Sequence, residues 1–205
     1  MPRQNRVSPF GSIEATAARG LLTGNRGILH DAAGRLGTAR WRHPHWIACR
    51  LDFKDVRRQV MAPGAWTELF FLDEATALAA GHRPCAYCRR EDFRRFAAAW
   101  GHAHDLAAPP RAPEIDRALH LARVEPRSRR QRRFAALARD LPDGSIVALS
   151  GEAWLVLGSG LRRWTHQGYD RRAPLPDAPA EVLTPAPTVA VLRAGYRPML
   201  HPSAG

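Results

Sequence analysis

Lysine is almost missing from this chain: Lys54 is the only one in 205 residues. Acidic side chains are scarce too, with 19 Asp and Glu against 31 Lys and Arg, a net charge of +12. A globular chain so short of negative charge favours an anionic partner, and nucleic acid is the commonest one. Cysteine is limited to three positions, Cys49, Cys85 and Cys88. Three cysteines do not make a disulfide framework, and in a reducing compartment they point to a metal site. No run of 18 or more apolar residues occurs, which excludes a transmembrane helix. The opening MPRQNRVSPFGSIEA has no apolar signal core, so a cytoplasmic protein is expected. No internal repeat is visible.

What is present supports a packed fold. Hydrophobic residues make up 45% of the chain, enough for a real core and too many for disorder. The stretch before Asp73 reads as short strands and loops, broken by Gly, Pro and Asn. RWRHPHWIACRLDF (40–53) is aromatic and β-branched enough for a strand over 46–53, and 67–72 for a second. Asp73 is a good N-cap, residues 75–80 are helix formers, Gly81 suits a left-handed C′ position, and Pro84 stops continuation. Residues 89–100 read as a helix, with Phe93, Phe96, Ala97 and Trp100 on one face. AAPPRAP (107–113) is a linker by composition. Residues 115–124 and 128–139 both look helical, the second very basic. Short strands at 145–149, 153–157 and 161–164 form a β-meander, and 188–194 a last short helix.

The chemistry centres on ELFFLDEATALAAGHRPCAYCRREDFRR (68–95). Cys85 and Cys88 form a Cys-x-x-Cys pair on a tight turn between helices, and thiolates in that setting suit zinc. Cys49, at the end of an apolar strand, is the third candidate ligand or else a buried core cysteine. A closed structural site wants a fourth ligand. His45 is preferred, since it shares a strand with Cys49. His43, His82, His102, His104 and Asp52 compete.

The run Ala77-Leu78-Ala79-Ala80-Gly81-His82-Arg83-Pro84-Cys85-Ala86-Tyr87-Cys88 resembles the "ALAAGFRPCKRC" phrase of the N-terminal zinc domain of Ada-type DNA-repair proteins. Trp46-Ile47-Ala48-Cys49 is similar to the strand that carries the first cysteine of that family. The resemblance covers about Cys49 to Arg90. It implies a zinc site and, in the family, a zinc-bound thiolate that accepts a methyl group from a DNA phosphotriester. By position Cys49 would be that acceptor. The chain departs from the pattern at Phe53, where the family has its second cysteine. One thiolate fewer leaves the site less negative and its sulfur a poorer nucleophile, which shifts the balance toward a structural role.

The expected fold is α+β: a small mixed zinc-organised domain with helices after the knuckle, plus a short C-terminal β-meander. The expected division is an Ada-like domain over 1–106, a linker with basic helices over 107–140, and a β-rich subdomain over 141–205. Candidate nucleic-acid contacts are Arg42, Arg89, Arg90, Arg94 and Arg95 near the knuckle, and Arg127, Arg129, Arg130, Arg132 and Arg133 in the second basic block. Such residues give affinity and salt dependence rather than sequence information. Trp41 and His43 add possible stacking. The leading functional reading is a zinc-binding, DNA-binding protein with a site of three cysteines and one histidine, in repair or regulation. Two alternatives stay open: a methyl acceptor using Cys49, and a metal-dependent nuclease using His30 and Asp31 with Glu68 or Asp73. The Gly24-x-x-Gly27 loop lacks the Lys-Ser/Thr of a P-loop.

Overall fold

The computed structural model describes residues 2–54 and 59–205. The fold is α+β, with two six-stranded sheets and four α-helices among the described residues. The first half of the chain supplies β1 (Gln4–Val7), β2 (Ile13–Ala15), β3 (Leu22–Asn25), β4 (Ile47–Arg50), β5 (Leu69–Phe71), helix α1 (Glu74–Ala79), β6 (Arg83–Pro84), and helices α2 (Arg90–Ala103) and α3 (Ala112–Arg123). The second half adds β7 (Phe134–Ala136), β8 (Ile146–Leu149), β9 (Glu152–Leu157), β10 (Gly160–Thr165), β11 (Gly168–Pro174), β12 (Ala180–Val182) and helix α4 (Ala186–Arg193). No helix among the described residues is long and apolar enough to cross a membrane.

The first sheet runs β2-β1-β5-β3-β4-β6 and is mixed, with β1–β5 and β4–β6 parallel. The second runs β11-β10-β9-β8-β12-β7, every pair antiparallel. It is the expected meander, extended by two strands on one side and one on the other. Its central strand β9 alternates. Ala153 and Leu155 pack with Leu72, Ala75 and Ala79, whereas Trp154 and Val156 pack with Leu141, Val182 and Val189.

Helix α1 ties the two halves together. Asp73 caps it as expected, accepting from the Thr76 N–H and hydroxyl at 2.9 and 2.7 Å. Ala77 and Ala80 pack on the first sheet, Ala75 and Ala79 on the second, and Leu78 on the α2, α3 and α4 cluster. These shared cores cross the boundaries expected at 106/107 and 140/141.

One predicted helix is absent. The basic stretch 128–139 forms no α-helix, only a 3-10 turn at its end, Ala138–Asp140. After α3 the chain turns through Pro126 and Arg129, whose φ is 56°, and bridges back from Gln131 to Val124. It then enters β7, which pairs with β12. Pro126 ends α3, and the edge of the second sheet captures the residues that follow. Phe134, on that edge strand, is 36% exposed.

Candidate metal centre and basic cleft

Sheet pairing builds the metal-capable group. β4 lies parallel to β6, with Ala48 opposite Pro84, and the Cys85 N–H donates to the Ala48 carbonyl at 3.0 Å. Cys49 is therefore carried to the start of the Cys-x-x-Cys turn. The sulfurs of Cys49, Cys85 and Cys88 lie within 4.8 Å of one another, the only group of three such ligand atoms among the described residues. Cys85 and Cys88 are buried and Cys49 is partly exposed.

The three thiols gather negative charge on one sulfur, Cys85, and hold the protons on Cys49 and Cys88. The Cys49 and Cys88 thiols donate to Cys85, joined by the backbone N–H groups of Cys88 and Tyr87, and they pull its pKa well below the ordinary thiol value. Cys49 is pushed the opposite way, because its proton is shared with Cys85 and Cys88. The turn also leads straight into the N-terminus of α2, whose dipole favours an anion. Such a soft thiolate set can hold a metal ion.

The histidine preferred as fourth ligand lies elsewhere. Three residues separate His45 from Cys49, and β4 begins only at Ile47, so up to about 13 Å of chain lies between them. His45 Nδ1 pairs with Asp116 at 2.8 Å, and Asp116 is gripped by Arg83 through two bonds of 2.8 Å. His45 serves this ion-pair network beside the first sheet and is not one of the clustered ligands. His30 is likewise committed within the fold, to the Thr67 hydroxyl at 2.6 Å and the Ala62 carbonyl at 3.2 Å. Asp31 holds its own loop through the Ala33 and Arg35 N–H groups and the Arg35 side chain. Glu68 accepts from the Met61 N–H, and Asp73 is spent on the α1 cap, Tyr169 and His201. These groups do not converge on a common point as a nuclease site requires.

The arginines expected to contact nucleic acid divide sharply. Arg89 is buried, paired with Glu74 at 2.9 Å and Asp92 at 2.8 Å, and anchors the turn to α1. Arg94 and Arg95 are exposed but pair along α2 with Glu91 and Asp92. Arg133 pairs with Glu181, Arg132 donates to the Val124 carbonyl, and Arg42 to the Ile28 carbonyl. Arg90, Arg127, Arg129 and Arg130 are exposed and make no ion pair among the described residues.

Two arginines escaped the sequence reading. Arg26 and Arg123 are only 2% and 1% exposed. Their guanidiniums stack against the Trp46 ring, 4.2 and 3.9 Å from its centroid. His82 completes the stack 5.3 Å from Trp46, fully buried, its Nε2 accepting from Arg26 Nε at 3.4 Å. Burial, then the Arg26 and Arg123 charges, hold its pKa well below the ordinary histidine value, so the ring stays neutral. A signal for Arg123 existed: it follows Ile115 and Leu119 at helical spacing, a charge on the buried stripe of α3.

Comparisons with family models, with curated proteins and with solved structures yield no match to this chain.

Proposed function

We propose that this chain is a zinc-organised protein that binds nucleic acid, DNA in the first instance, with the three-cysteine group as a structural centre. The reading rests on the convergence of Cys49, Cys85 and Cys88 between β4 and the start of α2. Zinc suits three thiolates better than the harder divalent ions, and sulfurs at about 2.3 Å from a tetrahedral ion fit the spacing found. Bound there, it would fix the register of β4 against β6 and the entry of α2. The net charge of +12 and the unpaired Arg90, Arg127, Arg129 and Arg130 supply the attraction to phosphates.

Native mass spectrometry with metal analysis tests the metal. One zinc per chain is expected, lost or weakened at least tenfold in Cys49→Ser, Cys85→Ser and Cys88→Ser and kept in His45→Ala. Zinc retained in all three serine variants overturns the assignment.

The partial exposure of Cys49 favours a second reading, as methyl acceptor. Its sulfur, once its proton has passed to solvent, would form the new S–C bond. The C–O bond of a methylphosphotriester would break, with the electron pair left on the phosphodiester oxygen. Incubation with methylphosphotriester DNA then adds one methyl mass to Cys49. An unmodified Cys49 after prolonged incubation removes this reading.

A further inference from the structure

We infer that the cleft floored by the Arg26–Trp46–Arg123 stack is a nucleotide-binding site, taking a phosphate beside a planar ring. The inference rests on the nucleic-acid reading above and gives it a place. The cleft encloses about 730 Å³ and is bounded by the β1–β2 turn, Arg40 and Trp41, the end of α3, and Arg129, Arg130, Gln131 and Arg133. That volume lies in the range of pockets that hold ligands of nucleotide size.

Its two buried cations make no ion pair among the described residues. Elsewhere the fold pairs its buried arginines with acids: Arg83 with Asp116 and Arg89 with Glu74. Among the described residues Arg26 and Arg123 have no carboxylate within ion-pair distance, and Asp116, already held by Arg83, acts on Arg123 only from further off. Arg26 donates to the Gly11 and Ala80 carbonyls at 3.0 and 3.3 Å, and Arg123 to those of Gly81 and Pro44 at 2.6 and 2.5 Å. Arg123 Nε is buried with nothing to donate to. Two buried cations on one tryptophan are costly without an anion, and burial draws Arg26 down to about 9. At the rim, Arg40, Arg129 and Arg130 add three exposed charges with no ion pair among the described residues. The two acids that line the cleft are engaged, Glu125 by the Ser128 hydroxyl and Glu181 by Arg133.

The cleft also offers features that suit a ring. Trp41 lies at its edge, 5.9 Å from Trp46, partly exposed and open to stacking. Gln131 donates to the Pro9, Ala79 and Leu183 carbonyls, which fixes its amide. Its Oε1 is left buried and unpartnered, an acceptor for the N–H of a base. Gly11 keeps that space open: a Cβ there would sit 3.6 Å from Gln131 Oε1 and 4.0 Å from Arg26 Nη2.

The nucleotide can be free or an unpaired residue of a strand, and a titration separates the two. The zinc-loaded 205-residue protein is titrated with adenosine monophosphate and with a 5′-phosphorylated pentathymidylate, followed by tryptophan fluorescence. Wild type is compared with Arg40→Ala/Arg130→Ala, whose exposed sites leave the core untouched, and with Trp41→Phe. Saturable quenching is expected, weakened about tenfold or more in the double variant and reduced in amplitude in Trp41→Phe. Equal strand affinity in wild type and double variant overturns the cleft and leaves nucleic-acid binding standing. Quenching by the mononucleotide alone supports the cleft and removes the strand. No response to either ligand overturns the cleft, and a gel-shift assay of the same protein on longer DNA then decides the broader reading separately.

Discussion

Gly81 shows how closely the residues around the buried arginines are fitted. Its φ is +84°, a conformation an L side chain rarely adopts, and a Cβ there would meet Arg123 Cδ at 2.6 Å. Its carbonyl also accepts from Arg123. Gly81→Ala should therefore destabilise the fold by about 1–3 kcal/mol and displace Arg123. Urea denaturation gives the stability, and unchanged stability would mean that the guanidinium moves aside freely. His82, next in the chain, makes a pH prediction. Unfolded, it takes up a proton near pH 6.5. Folded, its pKa is depressed by burial and by Arg26 and Arg123, so it stays neutral to a lower pH. Its contribution is whole above the unfolded pKa. As pH falls below that value, the unfolded state binds the extra proton and stability drops by about 1.4 kcal/mol per pH unit. Denaturation midpoints between pH 7 and pH 5.5 should fall more steeply for wild type than for His82→Gln, and parallel slopes would show the ring is protonated when folded.

At the scale of elements, capping and periodicity were readable and pairing was not. Asp73, Gly81 and the stripe of Phe96, Ala97 and Trp100 mark α1 and α2 from local chemistry alone, and the structure places both helices there. The stretch 128–139 misled, because a run of arginines with spaced apolar residues satisfies a helical pattern, whereas its real partner, β12, lies some 45 residues away. The same limit hid part of the site. Cys49 reaches Cys85 only through β4–β6 pairing, and His45 looked like a ligand because closeness in sequence stood in for closeness in space. Helix α1 shows what long-range partners add to a legible cap. Asp73 serves Thr76 with one oxygen and receives the Tyr169 hydroxyl at 2.8 Å and the His201 N–H at 3.1 Å on the other. Asp73→Ala should thus cost more than an ordinary cap, about 2–4 kcal/mol, since it also strands the buried Tyr169 hydroxyl. Asp73→Ala/Tyr169→Phe should be less destabilised than the two single changes combined, and strict additivity would place the loss in the cap alone.

Across the whole molecule, an excess of positive charge says little until its pairing is known. Much of the arginine is spent internally: on Glu74, Asp116 and Glu181, on the intrahelical acids of α2, and on Glu152 of β9 and Asp170 of β11. Charge already matched by a neighbouring carboxylate releases few counterions when a phosphate approaches, whereas an unpaired guanidinium releases them fully. The slope of log affinity against log salt therefore counts the free arginines and ignores the rest. On a single strand each phosphate contact contributes about −0.7 to that slope. Arg40→Ala/Arg130→Ala should flatten it by about 1.4, whereas Arg94→Ala, whose partner is Glu91, should leave it nearly unchanged. Fluorescence titrations of the pentathymidylate from low to moderate salt measure both. Equal flattening by the two changes would mean that the strand follows the general field of the protein, and flattening confined to the rim pair ties its phosphates to the cleft above Trp46.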